Sequence, residues 1–110
     1  MAYIRGMEFV ETSVFTRLVC ELLSDDEYRR LQLMLATRPD CGDIIPGGGG
    51  IRKVRFGLQG KGKRGGVRVI YYWLTAKFQI YLLLVYPKAR QENLTDEQKQ
   101  ILQTLVKGLL

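Results

Sequence analysis

Val67-Arg68-Val69-Ile70-Tyr71-Tyr72-Trp73-Leu74-Thr75-Ala76-Lys77-Phe78-Gln79-Ile80-Tyr81-Leu82-Leu83-Leu84-Val85-Tyr86 decides the fold. Val67 to Leu74 and Phe78 to Tyr86 are rich in β-branched and aromatic residues, which fit a pleated, half-buried surface. Thr75-Ala76-Lys77 is short enough to join them as a hairpin. Upstream, Ile51 to Phe56 alternates in part, so three strands in a meander are expected.

Before the meander the period changes. Tyr3 to Val10 reads as a first strand, and Glu11-Thr12-Ser13 suits a helix cap. Val14, Phe15, Leu18, Val19 and Leu22 fall at helical spacing. Cys20, within that pattern, is expected to be packed. Ser24-Asp25-Asp26-Glu27 has the S-x-x-E form of a capping box, and Thr37-Arg38-Pro39 ends the helix it opens, because a residue before proline avoids the helical region. Asp40 to Gly50 is a loop. Thr95-Asp96-Glu97-Gln98 repeats the cap as T-x-x-Q, and Ile101, Leu102, Leu105 and Val106 form the apolar face of a C-terminal helix. The order βααβββα implies an α+β fold, with helices packed on one face of a mainly antiparallel twisted sheet and the opposite face open to a ligand.

The chain has 110 residues, enough for one domain over 1–110. Its apolar fraction of 46% and charged fraction of 25% match a globular protein and argue against disorder. The longest apolar run, Ile80 to Tyr86, falls far short of the roughly 20 residues a membrane-spanning helix needs. Met1 to Val10 carries Arg5 and Glu8 and does not read as a secretory signal, so a cytoplasmic location and no membrane partner are expected. Cys20 and Cys41 are expected as free thiols in a reducing compartment. With no histidine and no CxxC pair, neither a metal site nor a cofactor is expected.

The net charge of +6 conceals a sharper asymmetry. Between Ile44 and Gln91 there are ten basic residues and no acid, whereas the rest of the chain holds seven basic and eleven acidic residues. Such one-sided charge recruits polyanions, and phosphate backbones are the commonest of these. Within the basic segment, Gly60-Lys61-Gly62-Lys63-Arg64-Gly65 matches G-x-G-x-x-G, but a strand follows where a helix is required. Gly57 to Arg64 approaches the P-loop pattern, yet Arg64 stands where a Mg²⁺-binding hydroxyl belongs. A glycine-loosened cationic hairpin accounts for both.

Alternation along extended strands turns Lys53 and Arg55 one way and Val54 and Phe56 the other. Arg68, Ile70 and Tyr72 likewise share a face, so Arg68 can join Lys53 and Arg55, with Lys88 and Arg90 closing the ring. RNA is cut without metal when its 2′-hydroxyl is deprotonated and attacks the adjacent phosphate while cations neutralise the transition state. A lysine crowded by other cations can act as base, and arginines can hold the phosphate. On composition alone, a noncatalytic grip on nucleic acid is the reading these residues favour over a nuclease site.

The run Gly50-Ile51-Arg52-Lys53-Val54-Arg55, then Lys61 to Tyr72, then Tyr81-Leu82-Leu83 through Tyr86-Pro87-Lys88, resembles the RelE/ParE superfamily, specifically its HigB-like toxins. Asp43-Ile44-Ile45-Pro46-Gly47 is similar to the segment preceding that pattern. The resemblance covers nearly the whole chain and implies a toxin of a type II toxin-antitoxin system. Such a toxin is a ribosome-dependent mRNA endoribonuclease, acting on mRNA in the ribosomal A site beside rRNA and silenced by a cognate antitoxin, typically a small helix-turn-helix protein.

By position, the resemblance implies catalytic roles for Lys53, as candidate base, and for Arg55, Arg68 and Lys88. Arg52, Lys61, Lys63, Arg64, Tyr72 and Arg90 are expected to bind RNA or the ribosome. Some members supply a tyrosine near the C-terminal end where this chain has Leu94; Tyr72 is a substitute. The alternatives are a ParE-like gyrase-binding toxin without nuclease activity and a noncatalytic RNA-binding module.

Overall fold

A computed structural model describes residues 2–58 and 62–109, with side chains described for all of these except 62–64. The chain opens with β1 (Ala2–Ile4) and β2 (Met7–Glu11), followed by α1 (Ser13–Leu22) and α2 (Asp25–Thr37). Then come β3 (Asp43–Ile44), β4 (Arg52–Leu58), β5 (Gly62–Leu74), β6 (Gln79–Pro87) and α3 (Asp96–Lys107). The strands form one six-stranded sheet in the order β1-β2-β6-β5-β4-β3. All neighbours are antiparallel except β2 and β6, which run parallel. The expected α+β class and mainly antiparallel sheet are therefore present.

The first strand is a hairpin instead of one run. Arg5 and Gly6 both have positive φ, 54° and 80°, the backbone of a tight turn whose twist matches the flanking strands. The Asp40 to Gly50 loop contributes the short edge strand β3, paired through Asp43 with Lys53 and Ile44 with Arg52. Both capping boxes form: Ser24 with Glu27, and Thr95 with Gln98, each satisfying amides that have no partner inside the helix. Arg38, before Pro39, is already outside helical geometry at φ −136° and ψ 80°. Cys20 is exposed, because it lies one residue past the buried Val19 on the outer side of α1; both thiols are free.

Two apolar clusters lie on opposite faces of the sheet. Phe15, Val19, Leu31 and Leu35 from α1 and α2 pack on Phe9, Val54, Val67, Val69, Tyr71, Ile80 and Leu82. Leu102 and Val106 of α3 pack on Ile51, Ile70, Leu83 and Tyr86. Expectation and structure part here: α3 covers the face that was to be left open. Tyr72, Tyr81 and Leu84 give that face enough apolar surface to hold a helix, and a register shift between Ile70 and Tyr71 turns both Leu83 and Leu84 toward it. Among the described residues, no helix is long and apolar enough to cross a membrane.

Candidate phosphate-binding cleft

The part of the second face that α3 leaves uncovered carries the cations. The β4–β5 register sets Arg55 directly opposite Arg68 and Lys53 opposite Ile70, so the three basic residues share one side of the sheet. On its other flank Arg68 is paired with Tyr86 of β6. Arg68 is only 2% exposed, whereas Arg55 is exposed. A buried guanidinium needs counter-charge. Glu92, in the loop after β6, supplies it at 3.5 Å and is itself half exposed. Among the described residues the Arg68 Nε has no hydrogen-bond partner.

A cleft of about 460 Å³ opens over this arginine, lined by Arg55, Phe56, Gly57, Gly66, Arg68 and Lys88. Gly57 and Gly66 leave its backbone walls bare, which lets a ligand approach the main chain. The Lys88 amide donates to the Gly66 carbonyl at 3.1 Å, extending the β5–β6 ladder one step and fixing Lys88 at the rim. Burial raises the Tyr86 phenol above its ordinary pKa; Arg68 opposes this and Glu92 adds to it. Tyr86 therefore stays protonated beside the cation.

The expected cations are not all in this cleft. Lys53 Nζ donates to Asn93 Oδ1 at 2.8 Å and to the Glu92 carbonyl at 3.5 Å. It lines an adjacent cleft of about 430 Å³ with Asp43, Ile44, Ile45, Pro46, Asn93, Leu94 and Lys99. Glu92 thus stands between the two, its carboxylate toward Arg68 and its carbonyl toward Lys53. Arg52 faces the other side of the sheet and donates to the carbonyls of Gly42, at 2.8 Å, and Asp40, at 3.2 Å, pinning the segment before β3. Tyr72 is half-buried in the cluster under α3 and does not line the Arg68 cleft. Arg90 is exposed in the turn after β6 and lines neither cleft.

Lys61 lies outside the described residues, and so do the side chains of Lys63 and Arg64. The backbone bears on the G-x-G-x-x-G match: β5 begins at Gly62, so a strand occupies the last four positions of the motif, where a nucleotide site would need a helix start.

Sequence reasoning missed Glu92 and Tyr86. Glu92 is the first acid after the long acid-free stretch, and that position was the available signal. Tyr86 was visible only as one more strand aromatic.

An α+β sheet thus gathers a buried arginine, a facing arginine and a lysine around one hollow, a cationic arrangement whose chemistry suits a phosphate-like anion. Residues 40–110 match the family described as the RelE toxin of the RelE / RelB toxin-antitoxin system, and the chain belongs to this RelE toxin family. The match spans β3 to the end of α3, and so contains every residue of the cleft. Membership assigns a toxin role and an antitoxin partner.

Proposed function

We propose that the protein is a HigB-like, ribosome-dependent mRNA endoribonuclease that cuts by metal-independent 2′-hydroxyl attack in the cleft over Arg68. The observation that carries this reading is Arg68 itself: a guanidinium 2% exposed at the floor of a cleft, with Nε unpartnered among the described residues and Arg55 directly across the ladder. Cations held in place before the reaction stabilise charge as it develops without reorganising.

In this reading Arg68 and Arg55 grip the non-bridging oxygens of the scissile phosphate. The 2′-oxygen bonds to phosphorus, the bond to the 5′-oxygen breaks, and the products are a 2′,3′-cyclic phosphate and a 5′-hydroxyl. Lys88, the ammonium on the cleft wall, gives its proton to the departing 5′-oxygen and regains one from water, which also takes the proton lost by the 2′-hydroxyl. Lys53, one cleft away, first has to leave Asn93 to act as base, so we assign it to holding the 92–94 segment and the neighbouring RNA. Tyr86, kept neutral, supports Arg68 from behind. Arg52 is tied to carbonyls on the other face, and we leave it out of the RNA contact. Lys61, Lys63, Arg64 and Arg90 are proposed to meet mRNA or rRNA in the A site through charge alone. The antitoxin, a small helix-turn-helix protein, is proposed to cover the cleft with an acidic segment.

The test is induction in cells, with transcript integrity mapped alongside growth. The parent is expected to arrest growth and fragment mRNA, and purified protein is expected to cut ribosome-bound mRNA and leave 2′,3′-cyclic phosphate and 5′-hydroxyl ends. Arg68→Ala with Lys88→Ala is expected to do neither. Intact transcripts with accumulating DNA breaks would turn the assignment to a gyrase-binding toxin of the same fold. Tolerated expression with salt-sensitive RNA binding would turn it to a noncatalytic module.

A further inference from the structure

The second cleft is unlike the first. Within a surface dominated by cations it holds one carboxylate, Asp43, which would repel a phosphate. Asp43 is the register partner of Lys53, yet the Lys53 ammonium goes to Asn93 and the Glu92 carbonyl instead. Among the described residues no hydrogen bond or ion pair holds the Asp43 carboxylate, and its side chain is exposed on the cleft wall. A lysine ammonium only donates, so the carboxamide of Asn93 must turn its oxygen to Lys53 and its NH₂ outward. The cleft therefore presents a free double acceptor, Asp43, and an oriented donor, Asn93, between apolar walls of Ile45 and Pro46. Its volume falls within the roughly 300–1,000 Å³ typical of small-molecule pockets.

We propose that this cleft seats the nucleobase next to the cleaved phosphodiester and selects guanine. Guanine alone offers two adjacent donors, N1–H and the N2 amino group, which a carboxylate accepts together, and its O6 beside them suits the Asn93 donor. Glu92, whose carboxylate reaches Arg68 of the first cleft and whose carbonyl reaches Lys53 of the second, marks where the strand crosses from phosphate to base. Lys99, which also lines this cleft, would meet a flanking phosphate. The proposal rests on the nuclease reading and adds Asp43 and Asn93 as residues that determine specificity.

The probes are uncleavable 2′-O-methyl trinucleotides carrying G, A, C, U or an abasic site at one position, titrated into the parent, Asp43→Asn, Asn93→Ala and Arg68→Ala. The guanine probe is expected to bind the parent at least about 5-fold more tightly than the other three bases. That excess is expected to vanish in Asp43→Asn and Asn93→Ala. The abasic probe should bind these two variants as it binds the parent, which also reports that they are folded, and should bind Arg68→Ala much more weakly. Equal binding of all four bases by the parent, or a guanine preference that survives both substitutions, overturns the base assignment alone as long as the abasic probe still depends on Arg68. Failure of every probe to bind the parent overturns this proposal alone, because the nuclease reading stands or falls on cleavage of ribosome-bound mRNA.

Discussion

Arg68 and Glu92 form an ion pair at 3.5 Å in which one partner is 3% exposed at its side chain and the other 50%. The pair is lopsided: the buried cation is fixed by the sheet, while the half-exposed carboxylate is free to leave. In the proposed reaction Glu92 occupies the place of the incoming phosphate. Glu92→Gln is expected to tighten binding of the abasic trinucleotide several-fold and to lower the melting temperature, because it leaves a buried charge with less compensation. Calorimetry and titration of the same preparation check both; unchanged binding with lowered stability would make Glu92 a structural counter-ion only.

Arg68→Lys keeps the charge but loses the planar fork. We expect cleavage of ribosome-bound mRNA to fall by roughly 10²–10³-fold, the range seen when one preorganised donor is removed, with the far-ultraviolet circular dichroism retained. Single-turnover cleavage measures it.

Tyr71 lies under the sheet on the α1 and α2 side, where its hydroxyl accepts from the Gly42 amide at 2.9 Å and donates to the Pro39 carbonyl at 2.7 Å. It is the post that holds the approach to β3. Tyr71→Phe is expected to cost about 1–3 kcal/mol in urea unfolding by leaving buried backbone groups unpaired. Gly42→Ala is expected to be at least as damaging: a Cβ there meets the Tyr71 ring and hydroxyl at 2.8 Å and the Lys53 carbonyl at 3.1 Å.

Tyr28 and Tyr71 both have phenol pKa values raised by burial, Tyr28 further by its hydrogen bond to Glu11. A group that holds its proton more tightly folded than unfolded contributes stability below the unfolded pKa, near 10 for tyrosine, and loses it as pH rises toward the folded value. Urea midpoints are expected to be insensitive to these two residues below about pH 9 and to fall above about pH 10. The fall should be shallower in Tyr28→Phe and Tyr71→Phe, when each is compared with its own midpoint at neutral pH.

Thr95→Ala removes the side-chain cap of α3, whose oxygen accepts from the Gln98 amide at 3.1 Å. A loss of about 1 kcal/mol is expected by chemical denaturation. The same change loosens the segment that carries Glu92, so hydrogen exchange in 88–95 is expected to rise more than in β5.

Much of this was legible along the chain. The β5–β6 hairpin, both capping boxes and the stop at Pro39 depend on residues within a few positions of each other, and local chemistry decides them. The pairing of strand faces was legible too, since side chains alternate wherever a strand is extended. That α3 lies over the second face was not, because an amphipathic stripe says that a helix is covered and not by what. The β1–β2 turn was missed because Arg5-Gly6 lacks the usual asparagine or aspartate signal.

By itself, then, the sequence determined the α+β class, the cationic middle and the shared face of Lys53, Arg55 and Arg68, all set by period and composition. Only the tertiary structure decided that Arg68 is buried, that Glu92 faces it across 24 positions of chain, and that Lys53 turns into a different cleft from Arg55. Those outcomes depend on where the loop after β6 comes to rest, and its path is set by strand register and by α3 docking on the sheet.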